Sequence, residues 1–134
     1  MTVKLTSLRL QLGGLLLLLT GFGLYCIGDG KCSLWTADQL GYRWFQQAEY
    51  AQAASEFADP RWQAAALFKQ GEFAQAASLL SAYDTAESAF NQGNALVMQG
   101  KYEAAAGRYA RALELQPDWG DAAVNREIAL ARAK

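Results

Sequence analysis

Residues 86–117 read AESAFNQGNALVMQGKYEAAAGRYARALELQP. This pattern predicts helices over 85–99 and 102–116, joined at Gly100, which can take a positive φ angle without a Cβ clash. Asp84 is predicted to cap the first helix, because a short side-chain acceptor satisfies the free amides of the first turn. Large and small residues alternate on the facing sides, so two antiparallel helices can approach closely. The stretch therefore predicts a helical hairpin.

The hairpin resembles a tetratricopeptide repeat (TPR), a helix–turn–helix unit of about 34 residues that ends near a proline. If Pro117 is that proline, the repeat begins at Ala86. Two positions depart from the family pattern: Ala89 stands where tryptophan is usual, and Gln92 stands where leucine is usual. The positions that agree with it are Gly93, Leu96, Ala105, Tyr109, Ala112 and Pro117.

Two shorter copies precede this repeat. Their turn regions, 45–57 (FQQAEYAQAASEF) and 68–80 (FKQGEFAQAASLL), can be laid over 97–109 (VMQGKYEAAAGRY). The offsets, 23 and 29 residues, are shorter than a full repeat, which predicts that the first two helix pairs are shortened. In the first copy, Gly41 occupies the repeat glycine and Ala48 stands where a turn glycine is expected. The helices predicted from these copies are 37–47, 50–58, 60–70 and 73–82.

A last helix, 119–131, is predicted to close the array. Asp118 is its predicted cap, as Asp59 is for the third helix of the chain. Val124 and Ile128 are four residues apart and are predicted to face the core, with charged residues on the other side. This amphipathic pattern is typical of the terminal helix of a repeat array.

The N-terminal region has a different composition. Lys4 and Arg9 precede residues 10–28, an uncharged, leucine-rich run that as a helix would be about 28 Å long, close to the roughly 30 Å hydrocarbon core of a membrane. Two interpretations remain open, an uncleaved membrane anchor and a signal peptide. We favour the anchor, with residues 1–9 in the cytoplasm because of their positive charge. The repeats would then be periplasmic, on a single-pass protein of a bacterial inner membrane.

The predicted fold class is therefore all-α: a transmembrane helix and then a short TPR-like α-solenoid. Residues 29–35 are predicted to be a linker. Residues 36–134 are predicted to form three helix pairs, the first two shortened, and a C-terminal capping helix. The two cysteines, Cys26 and Cys32, lie outside the repeats and do not staple them.

Composition excludes several classes of function. The chain has no histidine, which rules out imidazole bases, histidine metal sites and histidine-containing triads. Residues 33–134 carry 9 Lys and Arg against 12 Asp and Glu, with both signs interspersed. Nucleic acid is therefore not a predicted partner, because binding phosphates requires clustered basic residues. We predict no catalytic residues, no metal site and no cofactor, and hence a protein that is not an enzyme.

A further set of residues supports a finer resemblance. These residues are Trp35 to Gln39, Gly41, Asp59, Pro60, Trp62, Ala65 to Phe68, Gly71, Phe73, Asn91 and Gly93 to Leu96. Over residues 33–131 the chain looks like the C-terminal part of bacterial von Willebrand factor A/TPR proteins encoded in aerotolerance (Bat) operons. Those proteins usually carry a von Willebrand factor A domain before the membrane helix, and its metal-site motif is absent from this sequence. The resemblance implies an envelope scaffold linked to stress tolerance: either the chain is a split or truncated relative of these proteins, or a separate membrane protein supplies that domain as its partner.

In a TPR array, the first helix of each pair lines a concave face. Asn94 and Asn125 fall on the two asparagine positions of a TPR clamp for a C-terminal carboxylate, but Phe90 replaces its expected lysine. The clamp is therefore incomplete. The aromatic residues have an alternative role, in which they fill gaps between repeats. The predicted partner-binding residues are Tyr42, Phe45, Arg61, Phe68, Lys69, Phe90, Asn94, Met98 and Asn125.

The predicted function is a membrane-anchored scaffold for protein–protein interaction, with a peptide or partner subunit held by the concave face. The alternative is an architectural subunit that associates with copies of itself and has no separate peptide ligand.

Overall fold

A computed structural model describes residues 35–134. The predicted segment 1–9, the predicted anchor 10–28 and nearly all of the predicted linker lie outside the described residues. Within residues 35–134, no helix has both the length and the apolar character needed to cross a membrane. Residues 37–134 form one compact unit that is entirely helical. Its helices are α1 (Ala37–Gln46), α2 (Tyr50–Glu56), α3 (Pro60–Gln70), α4 (Phe73–Leu80), α5 (Ala86–Met98), α6 (Tyr102–Leu115) and α7 (Gly120–Arg132).

These bounds confirm the predicted helical pairs and their shortening, because α2 and α4 have 7 and 8 residues whereas α6 has 14. Extensive packing joins each helix to its neighbours in the chain, as expected for a solenoid.

The caps of two helices differ from prediction. Asp59 caps α3 as predicted, since its carboxylate accepts from the amide of Arg61 at 2.9 Å. The cap of α5 is Thr85 rather than Asp84, because the Thr85 hydroxyl accepts from the amide of Ser88 at 3.2 Å. Asp84 instead forms an ion pair with Arg111. The predicted cap Asp118 is also wrong, because α7 begins after Trp119 and has no side-chain cap.

The turns within the three pairs share one backbone geometry. Ala48, Gly71 and Gly100 have φ angles of 61°, 94° and 73°, all in the left-handed region. In each turn the amide of the following residue donates to a carbonyl five residues earlier, at 2.9–3.0 Å, which closes the end of the first helix. Ala48 therefore adopts the conformation that glycine adopts in the other two turns, and its Cβ makes that conformation costly.

The three pairs are packed around the repeat glycine position. A Cβ on Gly41 would lie 2.7 Å from the Phe57 ring, and a Cβ on Gly93 would lie 2.5 Å from the Tyr109 ring. These glycines therefore let an aromatic ring rest directly on the backbone of the first helix, from Phe57 just after α2 and from Tyr109 within α6. In the middle pair the same two positions are Ala64 and Leu80, both buried. A larger residue on the first helix is thus matched by a smaller one on the second.

Two polar side chains join neighbouring pairs. The carboxylate of Asp38 on α1 accepts from the amides of Ala58 and Asp59, at 2.8 and 3.0 Å, between α2 and α3. The buried amide of Gln92 on α5 donates to the carbonyl of Leu80, the last residue of α4, at 3.0 Å. Gln92 departs from the leucine of the family pattern. Its amide is a second donor to the Leu80 carbonyl, which also accepts from the amide of Tyr83 at 3.1 Å, and so it links α5 to the end of the shortened helix.

The capping helix α7 buries different residues from those predicted. Ala122 and Ala129 are its buried residues, whereas Val124 and Ile128 are 59% and 46% exposed. The prediction that Val124 and Ile128 face the core is therefore wrong. Small residues on one stripe let α7 lie close to α6, which turns the stripe with the larger residues away from it.

Candidate functional site

Two adjoining cavities lie along the first helices of the pairs, and together they are called the groove. Their volumes are about 150 Å³ and about 230 Å³, and Phe68 and Asn94 line both. The remaining residues of the first cavity are Phe45, Arg61, Ala64, Ala65, Lys69, Ala76, Leu80 and Asn91. The remaining residues of the second cavity are Val97, Met98, Tyr109, Asn125 and Ile128.

The first cavity combines an apolar lining with basic and amide groups. Arg61 is held by Asp59, whose carboxylate oxygens lie 2.7 and 3.1 Å from the guanidinium nitrogens, and this bond lowers the pKa of Asp59. Lys69 is exposed and forms no ion pair within residues 35–134. No acidic residue of the described chain lines either cavity. The groove therefore favours apolar side chains accompanied by carbonyl or carboxylate oxygens.

The second cavity contains a hydrogen-bonded cluster. The Tyr109 hydroxyl donates to Oδ1 of Asn94 at 2.8 Å, and Nδ2 of Asn125 lies 3.4 Å from the same oxygen. Burial raises the pKa of Tyr109 above its ordinary value, and the neutral hydroxyl is a donor. Nδ2 of Asn94 makes no hydrogen bond within residues 35–134, so its N–H groups are available as donors to ligand oxygens.

The structure brings together seven of the nine predicted partner-binding residues: Phe45, Arg61, Phe68, Lys69, Asn94, Met98 and Asn125. Tyr42 and Phe90 do not line the groove. The Phe90 ring stacks on Trp119, with centroids 4.6 Å apart, and lies 5.6 Å from Tyr109. Phe90 therefore fills a gap between helix pairs, which is the alternative role considered above for the aromatic residues.

Tyr42 belongs to an aromatic cluster next to the groove. Its ring meets Trp62 edge to face, with centroids 5.9 Å apart, and Trp62 lies 6.3 Å from Phe45. Tyr42 and Trp62 are 48% and 45% exposed. Trp62 was not among the predicted site residues, because its repeat position matches Gln39 and Asn91, which gave no aromatic signal. The exposed rings extend the apolar surface beyond the first cavity.

Asn91 and Val97 were also missed as site residues. Both lie on α5 beside predicted residues, and the helical spacing of three from Asn94 would have identified them. Residues 35–134 contain no cluster of three or more metal-binding side chains that could hold an ion. The functional groups of this region are therefore amides, two basic side chains and apolar rings.

Comparison with known families agrees with this architecture. Residues 86–119 match the family described as Tetratricopeptide repeat. The matched segment begins at Ala86, the first position assigned from the sequence. It covers the third helix pair, about a quarter of the chain, and supports a TPR protein. No curated protein matches the chain.

TPR repeats generally mediate protein–protein interaction and are not catalytic units. The finer resemblance to Bat-operon proteins remains a prediction from the sequence.

Proposed function

We propose that this protein is an interaction module that holds a peptide segment of another protein in the groove. The observation that carries the proposal is that the two cavities adjoin, because Phe68 and Asn94 line both of them. A half-buried ring next to an amide with free donors suits a peptide, which offers apolar side chains and regularly spaced carbonyl oxygens. The basic residues Arg61 and Lys69 favour a segment that carries acidic side chains.

Site-specific photocrosslinking tests this proposal directly. A photoreactive phenylalanine analogue at Met98, which is 56% exposed in the groove, is expected to crosslink a partner in cells. The matched control is the same analogue at Arg108, an exposed residue of α6 that lines neither cavity. Equal adducts from both positions, or adducts from Arg108 alone, would contradict binding in the groove.

A charge reversal gives a second test. Lys69→Glu is expected to lower the yield of the Met98 adduct about tenfold if the bound segment is acidic, because it replaces attraction by repulsion. Arg108→Glu makes the same change of charge outside the groove and should leave the yield unchanged. Circular dichroism of both variants is expected to match the wild type, since neither side chain forms an ion pair within residues 35–134.

We also propose, from the sequence alone, that residues 10–28 anchor the protein in a bacterial inner membrane with the repeats in the periplasm. The partner would then belong to an envelope complex, for which a von Willebrand factor A-domain membrane protein is the leading candidate. Two features support this proposal, the apolar run after Lys4 and Arg9 and the resemblance over residues 33–131. Mass spectrometry of the crosslinked adduct would identify the partner, and recovery of peptides from residues 1–9 would show that the segment is retained.

A further inference from the structure

The outward side of α7 carries an exposed apolar patch formed by Val124 and Ile128, of which only Ile128 also lines the groove. Val124 and Ile128 lie one helical turn apart and are 59% and 46% exposed. Leu113 of α6 borders them in a shallow depression, which Ala123, Arg126 and Glu127 complete. Exposed apolar side chains that adjoin in this way mark an interaction surface more often than isolated ones do.

An internal comparison shows that this patch lacks a covering element. In the 34-residue register, Val124 of α7 corresponds to Phe90 of α5. Phe90 is covered by Trp119, which stacks on it at the entrance to the next helix, and by Tyr109 of its own pair. No residue within 35–134 plays the part of Trp119 for Val124, which remains 59% exposed.

A second helix packed on α7 as α6 packs on α5 could not cover Val124 and Ile128. The glycine position that admits the Tyr109 ring is Gly93 on α5, and the corresponding residue on α7 is Glu127. A second helix could not approach the backbone of α7 as α6 approaches α5, because the side chain of Glu127 is in the way. The face suits a helix that crosses at a larger separation and meets Val124 and Ile128 by their side chains.

The charges on this stripe of α7 are self-complementary. Asp121, Val124, Ile128 and Arg132 follow one another at intervals of three, four and four residues, so they share one side of the helix. Two copies of α7 packed antiparallel about a two-fold axis near residue 126 would place Val124 against Ile128 of the second copy. The same arrangement would place Asp121 against Arg132, twice over. A parallel arrangement would oppose like charges instead.

We propose that α7 is the contact by which two copies of this chain associate, as an antiparallel and isologous pair. Arg126 and Glu127 already pair within the helix, with nitrogen and oxygen 3.3 Å apart, so the border of the patch is neutral. The Arg132 guanidinium lies 5.8 Å from the centre of the Tyr102 ring and remains exposed at the end of the helix. One helix face is a small interface, so the dimer is weak and depends on protein concentration.

Sedimentation of the full chain in detergent, over about a hundredfold range of concentration, tests the proposal. The wild type is expected to pass from monomer to dimer. Val124→Lys is expected to raise the dissociation constant at least about tenfold, because it puts two charges into the contact. Leu115→Lys is the matched control, a lysine at an exposed apolar residue of α6 that lines neither the groove nor the patch, and should leave the dissociation constant unchanged.

Charge exchange tests the antiparallel arrangement. Asp121→Lys and Arg132→Glu are each expected to weaken the dimer about fivefold or more, because each opposes two like charges. The double variant re-forms both pairs and is expected to return within about threefold of the wild type. Asp121 and Arg132 lie at the ends of α7, so reversing either charge can also destabilise the helix through its dipole. Circular dichroism would show this as a loss of helix. In that case the effect of Val124→Lys on the dissociation constant is the test of the dimer.

Several results would overturn the proposal. A wild type that stays monomeric at every concentration would do so. A dimer that Val124→Lys leaves intact would also do so, because its contact would then lie outside the patch, for instance in residues 10–28. A photoreactive analogue at Val124 that crosslinks a different protein and never a second copy would assign the face to that protein. The groove is tested separately through the Met98 and Lys69 variants, so either proposal can fail while the other stands.

Discussion

The middle and third helix pairs divide the volume between the same two positions differently. In α5 and α6 the first helix supplies Gly93 and the second supplies the buried ring of Tyr109. In α3 and α4 these positions are Ala64 and Leu80, so the first helix gains a methyl group and the second loses a ring. The comparison teaches that the repeat requires a combined volume at this crossing rather than a glycine, because close packing depends on the sum of the facing side chains.

The largest expected effect breaks this match in the third pair. Gly93→Ala should lower the free energy of unfolding by about 2 kcal/mol, because overpacking against the fully buried ring outweighs the gain in helix propensity. Tyr109→Leu alone should cost about 3 kcal/mol through the cavity that it leaves. The double variant copies the middle pair and should be more stable than the sum of the single losses implies, by more than about 1 kcal/mol. Urea unfolding measures all three, and strict additivity would refute the idea of a shared volume.

A smaller effect concerns the contact between the two pairs. Gln92→Ala should lower the free energy of unfolding by about 1–2 kcal/mol, because it removes a buried hydrogen bond to the Leu80 carbonyl and leaves a small void. Gln99→Ala is the matched control. The Gln99 amide donates to a carbonyl of its own helix at 3.0 Å, so its loss should cost less than about 0.5 kcal/mol. Equal losses of unfolding free energy in urea would show that the hydrogen bond between pairs stabilises the protein no more than one within a helix.

Substitutions in the turns of the first and third pairs are expected to change stability in opposite directions. Ala48→Gly should stabilise the protein by about 0.5 kcal/mol, because it relieves a left-handed alanine and the gain exceeds the added chain entropy. Gly100→Ala should destabilise it by about 1 kcal/mol for the same reason, although no atom lies within 4 Å of the added Cβ. The two shifts in melting temperature should therefore be opposite. Shifts of the same sign would mean that the Ala48 turn differs from the others in solution.

The smallest effect is a dependence on pH at the third pair. Arg111 binds Asp84 through two nitrogens, at 2.6 and 3.0 Å, and this hydrogen bonding holds the pKa of Asp84 below its ordinary value of 3.8. A carboxyl group whose pKa is lowered by folding stabilises the native state above its unfolded pKa, and this contribution is lost as the pH falls through the folded pKa. Between about pH 5 and pH 2 the wild type should therefore lose slightly more stability than Asp84→Asn. Parallel thermal-melting profiles would contradict a role for this pair.

Much of the fold follows from local pattern. The three turn segments predicted the order of the helices and the shortening of α2 and α4, because turn glycines and buried alanines are local signals. Caps were harder to predict, since Asp84 and Thr85 are both good acceptors next to each other. In the structure Thr85 is the cap and Asp84 pairs with Arg111, 27 residues further on, a contact that the local sequence does not show.

The candidate groove followed from repeat positions, and the error at Phe90 has a clear cause. Phe90 and Val124 occupy equivalent positions in the repeat, but what covers each of them depends on the next element. Trp119 covers Phe90, whereas nothing within residues 35–134 buries Val124 or Ile128. A periodic pattern identifies the side of a helix and not its neighbour, so it could not show that Phe90 fills a gap or that Val124 and Ile128 are exposed.

The bond from Asp38 to the amides of Ala58 and Asp59 has a consequence for the order of folding. Packing is confined mainly to helices that are adjacent in the chain, so contact order is low and rapid folding is expected. The first pair leaves the ribosome earliest, yet its second helix has only 7 residues and one end of its first helix is tied to a segment 20 residues further on. A pair this short buries too little area to be stable alone, so during synthesis it must wait until α3 packs against α2. Folding should therefore begin in the longer third pair and proceed backwards, toward the N-terminus.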